Sequence, residues 1–111
     1  MEKSAELARK FRILLSDDRS LFKRPSDYAA ALNVTTGYLN DVVKKITGSS
    51  VTYWIHQEFS IRSKRALYYT DMDIKEVAYL FGFNDHAYFI RLFRRLNGIT
   101  PQKFRLLKRQ K

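Results

Sequence analysis

The chain repeats itself. Ala29, Asn33 and Val34 fall on Ala78, Gly82 and Phe83 at an offset of 49 residues. One added residue in the following turn makes the offset 50. Tyr38, Leu39, Val43, Lys44-Lys45 and Gly48 then fall on Tyr88, Phe89, Phe93, Arg94-Arg95 and Gly98. Amphipathic helix pairs share a few positions by chance, but here small, turn, aromatic, basic and terminal positions agree in order. Each copy reads as a short helix holding a small alanine, a tight turn, and a second helix stopped by glycine. The alanine lets two helices cross closely. This is the pattern of a helix-turn-helix, whose second helix is presented to a DNA major groove. One copy is weak evidence, because many helical hairpins share it. Two copies joined by a long helix constrain the fold far more.

Strand-like alternation is weak and helical periodicity frequent, which predicts an all-α protein of about seven helices. The first spans Ser4–Ser16, with Leu7, Ala8, Phe11, Leu14 and Leu15 on one face. Leu21 and Phe22 are expected to anchor the polar connection that follows. Ser26 is expected to cap a second helix over Asp27–Leu32. The third runs Thr36–Thr47 and stops at Gly48. Ser50 caps a long fourth helix ending at Tyr69. Asp73 and Glu76 resemble a capping box for a fifth, Ile74–Phe81. Asp85 caps the sixth, which Gly98 ends, and Thr100-Pro101 opens a basic seventh. The organisation expected is an N-terminal helix and connection (1–24), a first helix-turn-helix (25–50), a linking helix (51–70), and a second helix-turn-helix with the basic C-terminal helix (71–111).

Charge narrows the partner. With 21 Lys+Arg against 11 Asp+Glu, the net charge is +10 and the pI about 10.0, which suggests a polyanion, nucleic acid before an acidic membrane surface. From His86 to Lys111 there are eight Lys/Arg and no Asp or Glu. The absence of cysteine excludes disulfides, thiolate metal sites and a cysteine nucleophile, and it fits a cytoplasmic protein. No apolar run approaches membrane-spanning length, and "MEKSAELARKFRILLS" lacks the apolar core of a signal peptide. His56 and His86 lie on different helices and no glycine-rich phosphate loop exists. No catalytic constellation, metal site or cofactor is therefore expected.

The sixth helix carries two stripes. Phe89, Leu92, Phe93 and Leu96 suit a core. The opposite stripe holds Ala87, Ile90, Arg91 and Arg94, with His86 at the helix start. Small and apolar side chains between a histidine and an arginine suit a groove where thymine methyls alternate with guanine edges. A solvated basic face is the plainer alternative. The matching stripe of the third helix is Gly37, Asn40, Asp41 and Lys44, flanked by Tyr38. Asn40 suits adenine and Asp41 suits cytosine, but Asp41 also repels phosphate, and a salt bridge within the protein accounts for it equally well. Thr36, Lys44, Lys45, Arg94 and Arg95 are the expected phosphate contacts. Two other partners stay open. The aromatics could stack on single-stranded RNA, although Phe81, Phe83, Phe89 and Phe93 sit at core-facing positions. The basic face could also be incidental to a protein-interaction adaptor.

"LNVTTGYLNDVVKKITGSSVTYWI" and "SKRALYYTDMDIKEVAYLFGFNDHAYFIRLFRRLNGITPQKFR" resemble the DNA-binding domain of AraC/XylS-family transcription regulators, over about residues 26–105. The second copy is the more specific: "KEVAYLFGF", the pair Tyr88-Phe89, "FRRLNGITP" and "FR" stand at the family's spacing. The resemblance implies a bacterial transcription regulator with seven helices in two helix-turn-helix units. The third and sixth helices would read DNA. Gly37, Tyr38, Asn40 and Asp41 would face one major groove, and His86, Ala87, Ile90 and Arg91 the next. Family members often place a larger or basic residue near Gly37 or Asp41, so weaker readout by the first unit is expected. RNA polymerase is the partner implied beyond double-stranded DNA. Many members carry a sensing or dimerisation domain ahead of this one, so the chain is expected to be either a domain cut from a longer regulator or a stand-alone small regulator, and the N-terminal helix, which reads like a continuation from something upstream, favours the first.

Overall fold

The computed structural model describes residues 2–17 and 23–109, and these form seven helices and no strand. They are α1 (Glu2–Ser16), α2 (Pro25–Ala31), α3 (Thr36–Thr47), α4 (Val51–Tyr69), α5 (Ile74–Leu80), α6 (His86–Asn97) and α7 (Pro101–Arg109). Leu21 and Phe22 lie outside the described residues. The all-α fold is as expected. Two compact units divide the chain at Met1–Glu58 and Phe59–Lys111, so the boundary falls inside α4.

In the first unit α1 and α2 both pack on α3. Its core takes Leu7, Phe11 and Leu15 from α1, Tyr28 and Ala29 from α2, and Leu39 and Val43 from α3. Ala29 is buried, and its carbonyl accepts the Val34 N–H at 3.0 Å across the turn. The second unit repeats this bond: the carbonyl of buried Ala78 accepts the Phe83 N–H at 3.0 Å. Its core is aromatic. Phe59, Phe83 and Phe89 meet edge to face with ring centroids 5.4–5.6 Å apart, and Phe93 lies 5.8 Å from Phe104. Leu96, expected on the buried stripe, is only half-buried at the last turn of α6.

Both turns need a left-handed residue. Gly82 holds φ +87° without penalty, while Asn33 takes the same place at φ +59°, tolerated because asparagine visits this region more readily than other side-chain-bearing residues. Asn84 is the added residue in the second turn. The recognition-helix candidates α3 and α6 then stop alike: Gly48 N–H returns to Lys44 O at 2.8 Å and Gly98 N–H to Arg94 O at 2.7 Å.

The caps are local. Asp73 Oδ1 accepts from Glu76 N and Glu76 Oε1 from Asp73 N, both at 2.8 Å, closing the capping box. Asp85 Oδ1 accepts from Ala87 N at 2.9 Å. Ser50 Oγ and Thr100 Oγ1 accept from Tyr53 N and Lys103 N, each at 3.1 Å. Thr35 Oγ1 does the same for Tyr38 N at 3.1 Å, satisfying an amide left without a partner at the helix start. The expectation for Ser26 is overturned: α2 starts one residue before it, with Arg24 as N-cap and Pro25 at the first position. Asp27 Oδ2 accepts the Arg24 N–H at 2.9 Å. That backbone bond, with the charges of Arg24 and Lys23 beside it, holds the Asp27 carboxyl below its ordinary range.

The basic seventh helix is partly spoken for. Arg105 Nε donates to Leu67 O at 2.9 Å, and Arg109 donates to Thr70 O at 2.9 Å and to Asp71 Oδ1 at 2.9 Å. These guanidinium groups satisfy carbonyls at and beyond the C-terminal end of α4, where cations are also favoured by the helix dipole.

Candidate nucleic-acid interface

Turn chemistry places α3 and α6 at the surface of their units. In each, a polar N-cap follows the tight turn, and a buried stripe fixes rotation about the helix axis. Leu39 and Val43 of α3 and Phe89 and Phe93 of α6 are fully buried at matching positions. Their opposite faces are therefore turned outward.

On α3, Thr36, Gly37, Asp41, Lys44 and Lys45 are exposed. On α6, Arg91, Arg94 and Arg95 are exposed, whereas His86, Ala87 and Ile90 are half-buried. Tyr38 and Tyr88 match closely, at 48% and 47% exposure. Tyr88 is not among the site residues expected from sequence, although the repeat that pairs it with Tyr38 held the signal. Among the described residues, none of Asp41, Lys44, Lys45, Arg91, Arg94 and Arg95 makes an ion pair. The internal salt bridge considered for Asp41 is thus not found. A side chain built at Gly37 would meet open space, so this position leaves a gap on the outward face.

Asn40, expected to read adenine, already has its side-chain oxygen engaged within the unit. It is half-buried, and its Oδ1 accepts the Val51 N–H at 3.0 Å, eleven residues along the chain. A bidentate contact to adenine uses both Oδ1 and Nδ2. In this conformation Asn40 instead holds the first amide of α4.

The rings that could have served single-stranded RNA are mostly occupied. Phe89 and Phe93 are fully buried, and Phe81 and Phe83 are half-buried. Among the described residues no group of three or more His, Cys, Asp or Glu could hold a metal ion, and no helix is long and apolar enough to cross a membrane.

What this arrangement offers is two outward helix faces, each rimmed by cations in its last turn and each carrying groups of groove-reading type near its start. A helix-turn-helix domain model matches residues 28–106. The regulatory protein PocR of Salmonella typhimurium is 29% identical over 91 residues, covering 82% of this chain and 29% of its own length. The C-terminal domain of the two-component response regulator YesN from Fusobacterium nucleatum superposes with a TM-score of 0.75 at 25% identity, covering 95% of this chain and 99% of that one. The DNA-binding domain of AdpA, solved with a target DNA, has the same fold, with a TM-score of 0.72 at 23% identity over 96% of this chain and 92% of its own. The matched segment, the tandem helix-turn-helix units and these relatives establish that the chain belongs to the AraC-type helix-turn-helix family, the DNA-binding domains of bacterial transcription regulators.

Proposed function

We propose that the chain reads double-stranded DNA with α3 and α6 in successive major-groove segments, over an asymmetric site of about two helical turns, groove segments recurring every ~34 Å. Arg91 and Asp41 read base edges. Ala87, Ile90, His86, Gly37 and Tyr38 shape the contact, and Tyr88 joins them as the counterpart of Tyr38. Lys44, Lys45, Arg94, Arg95 and the Thr36 end of α3 hold phosphates. Asn40 positions α3 through Val51. The observation that carries this reading is the pairing of exposed Asp41 with exposed Arg91 at one repeat position, neither in an ion pair among the described residues. Bound beside a promoter in the cytoplasm, the domain would alter RNA polymerase recruitment, as part of a regulator with a sensing or dimerisation domain. No catalytic role is proposed.

Duplexes selected from a random pool should yield a long motif in two blocks. Against that site, Arg91→Ala should cost about 1–3 kcal/mol and relax preference at one base pair, as loss of a guanine contact does. Lys108→Ala, a change at an exposed lysine of α7, should weaken binding slightly and equally for all sequences. Uniform loss from Arg91→Ala would make Arg91 a phosphate clamp instead.

The halves should also be unequal. A gap at Gly37, an acid at Asp41 and an Asn40 turned inward leave α3 with fewer favourable base contacts than α6. Scrambling the half-site read by α6 should reduce affinity more than scrambling the other. Equal losses would show that Asp41 contributes a full base contact.

A further inference from the structure

The last residue of α6, Asn97, is followed by Gly98. The other asparagines of the chain precede Val34, Asp41 and Asp85, whose side chains crowd the backbone nitrogen they share a residue with. Glycine has no Cβ, so its nitrogen can close on the side-chain carbon of the residue before it. Asparagine is a thermolabile residue, and position 97 is where this chain leaves it least hindered.

In the folded second unit both reacting groups are engaged. Asn97 Nδ2 donates to Phe93 O at 3.0 Å and to Ser60 Oγ of α4 at 3.3 Å. The Gly98 N–H is given to Arg94 O at 2.7 Å, with Gly98 at φ +82°. The nitrogen that would attack and the amide that would leave are therefore both hydrogen-bonded. Gly98 is nevertheless exposed, and helix ends open at lower free energy than cores.

We propose that Asn97-Gly98 is a self-modification site that reacts when the end of α6 unwinds, and that its product weakens the cation cluster of the same helix turn. Once the Gly98 N–H is released, hydroxide removes its proton. The nitrogen bonds to Asn97 Cγ, the Cγ–Nδ2 bond breaks, and Nδ2 leaves as ammonia after taking a proton from water, which regenerates hydroxide. Water then opens the cyclic imide at either carbonyl, giving aspartate or isoaspartate. One water is consumed and one ammonia released, with no change of oxidation state.

The product places a carboxylate where an amide donated to Phe93 O. It stands at the C-terminal end of α6, where the helix dipole disfavours an anion. Arg94 and Arg95 share that turn, so the new charge competes with phosphate for them. This consequence rests on the DNA reading proposed above; the reaction itself does not.

The experiment holds the whole protein in mildly alkaline buffer, native and in guanidinium chloride, and follows tryptic peptide 96–103 by mass spectrometry. Conversion at position 97 should be about tenfold or more faster in denaturant, the protection that a closed helix end confers. Ser60→Ala should raise the native rate about two- to tenfold, as loss of one hydrogen bond does, and leave the denatured rate unchanged. Asn97→Gln, which must close a larger ring, should give no product. Against the selected duplex, Asn97→Asp should weaken binding equally for all sequences and lower the salt slope by about one, while Asn97→Gln keeps the parent's slope. Equal rates in native and denatured protein overturn the proposal. So does conversion at position 97 that is no faster in denaturant than at positions 40 and 84. A parent that binds DNA and an Asn97→Asp variant that matches its affinity and slope overturn the link to the cation cluster. A parent that binds no duplex overturns the DNA reading instead, and the peptide map still decides the site.

Discussion

Raising the salt concentration from 50 to 200 mM should weaken DNA binding by about three to four orders of magnitude. The expected slope of log affinity against log salt is roughly −5 to −7, from about six to eight neutralised phosphates. Lys44, Lys45, Arg94 and Arg95 supply the core of that number, exposed and outside any ion pair among the described residues. The N-terminal ends of α3 and α6 add backbone amides. Arg105 and Arg109 add little, because they are bonded to the end of α4. Fluorescence anisotropy with the selected duplex, repeated across a salt series, measures the slope. A value near zero would remove a polyanion as the main partner.

Phe93→Ala should destabilise the second unit by about 3–5 kcal/mol, against the total of about 5–15 kcal/mol that a domain of this size has to lose. Phe93 is fully buried, with its ring 5.8 Å from Phe104 and 6.3 Å from Phe89. Truncation removes the ring from between them and leaves a cavity that neighbouring helices cannot fill without shifting. Arg95→Ala, two residues on and exposed, should stay within about 0.5 kcal/mol of the parent. Urea unfolding followed by circular dichroism compares them. A loss below about 1 kcal/mol for Phe93→Ala would mean that the aromatic cluster is not what holds α6 in place.

Much of the fold was legible because its signals are short-range. Asp73 with Glu76, Asp85, Ser50 and Thr100-Pro101 all mark helix starts by chemistry that needs only three or four neighbours. Gly48 and Gly98 mark the stops in the same way. Ser26 failed because two rules competed one residue apart. Pro25 favours the first helical position, and Asp27 three residues after Arg24 supplies a carboxylate to the free backbone amide, so the cap moved upstream. The site was legible in outline, since a buried stripe dictates what points outward. Individual side chains were harder. Helical spacing put Asn40 on the outward face, but an amide eleven residues away claims its oxygen. Composition counts Arg105 and Arg109 only as two more positive charges, and nothing local distinguishes an arginine facing phosphate from one facing a peptide carbonyl.

The bond from Val51 to Asn40 has a counterpart in what the second unit lacks. Fifty residues on, the corresponding positions are Pro101 and Ile90, again eleven apart. Proline has no amide hydrogen, so the first position of α7 has nothing to donate, and isoleucine has nothing to accept with. One copy satisfies the donor; the other abolishes it. Within this chain the paired positions thus occur in two complementary forms. A lineage that exchanged only one member would strand a part-buried amide or idle a polar side chain at the edge of the reading face. An exchange at position 40 would therefore be felt at position 51, so what the reading face of α3 can carry is tied to a residue outside that helix.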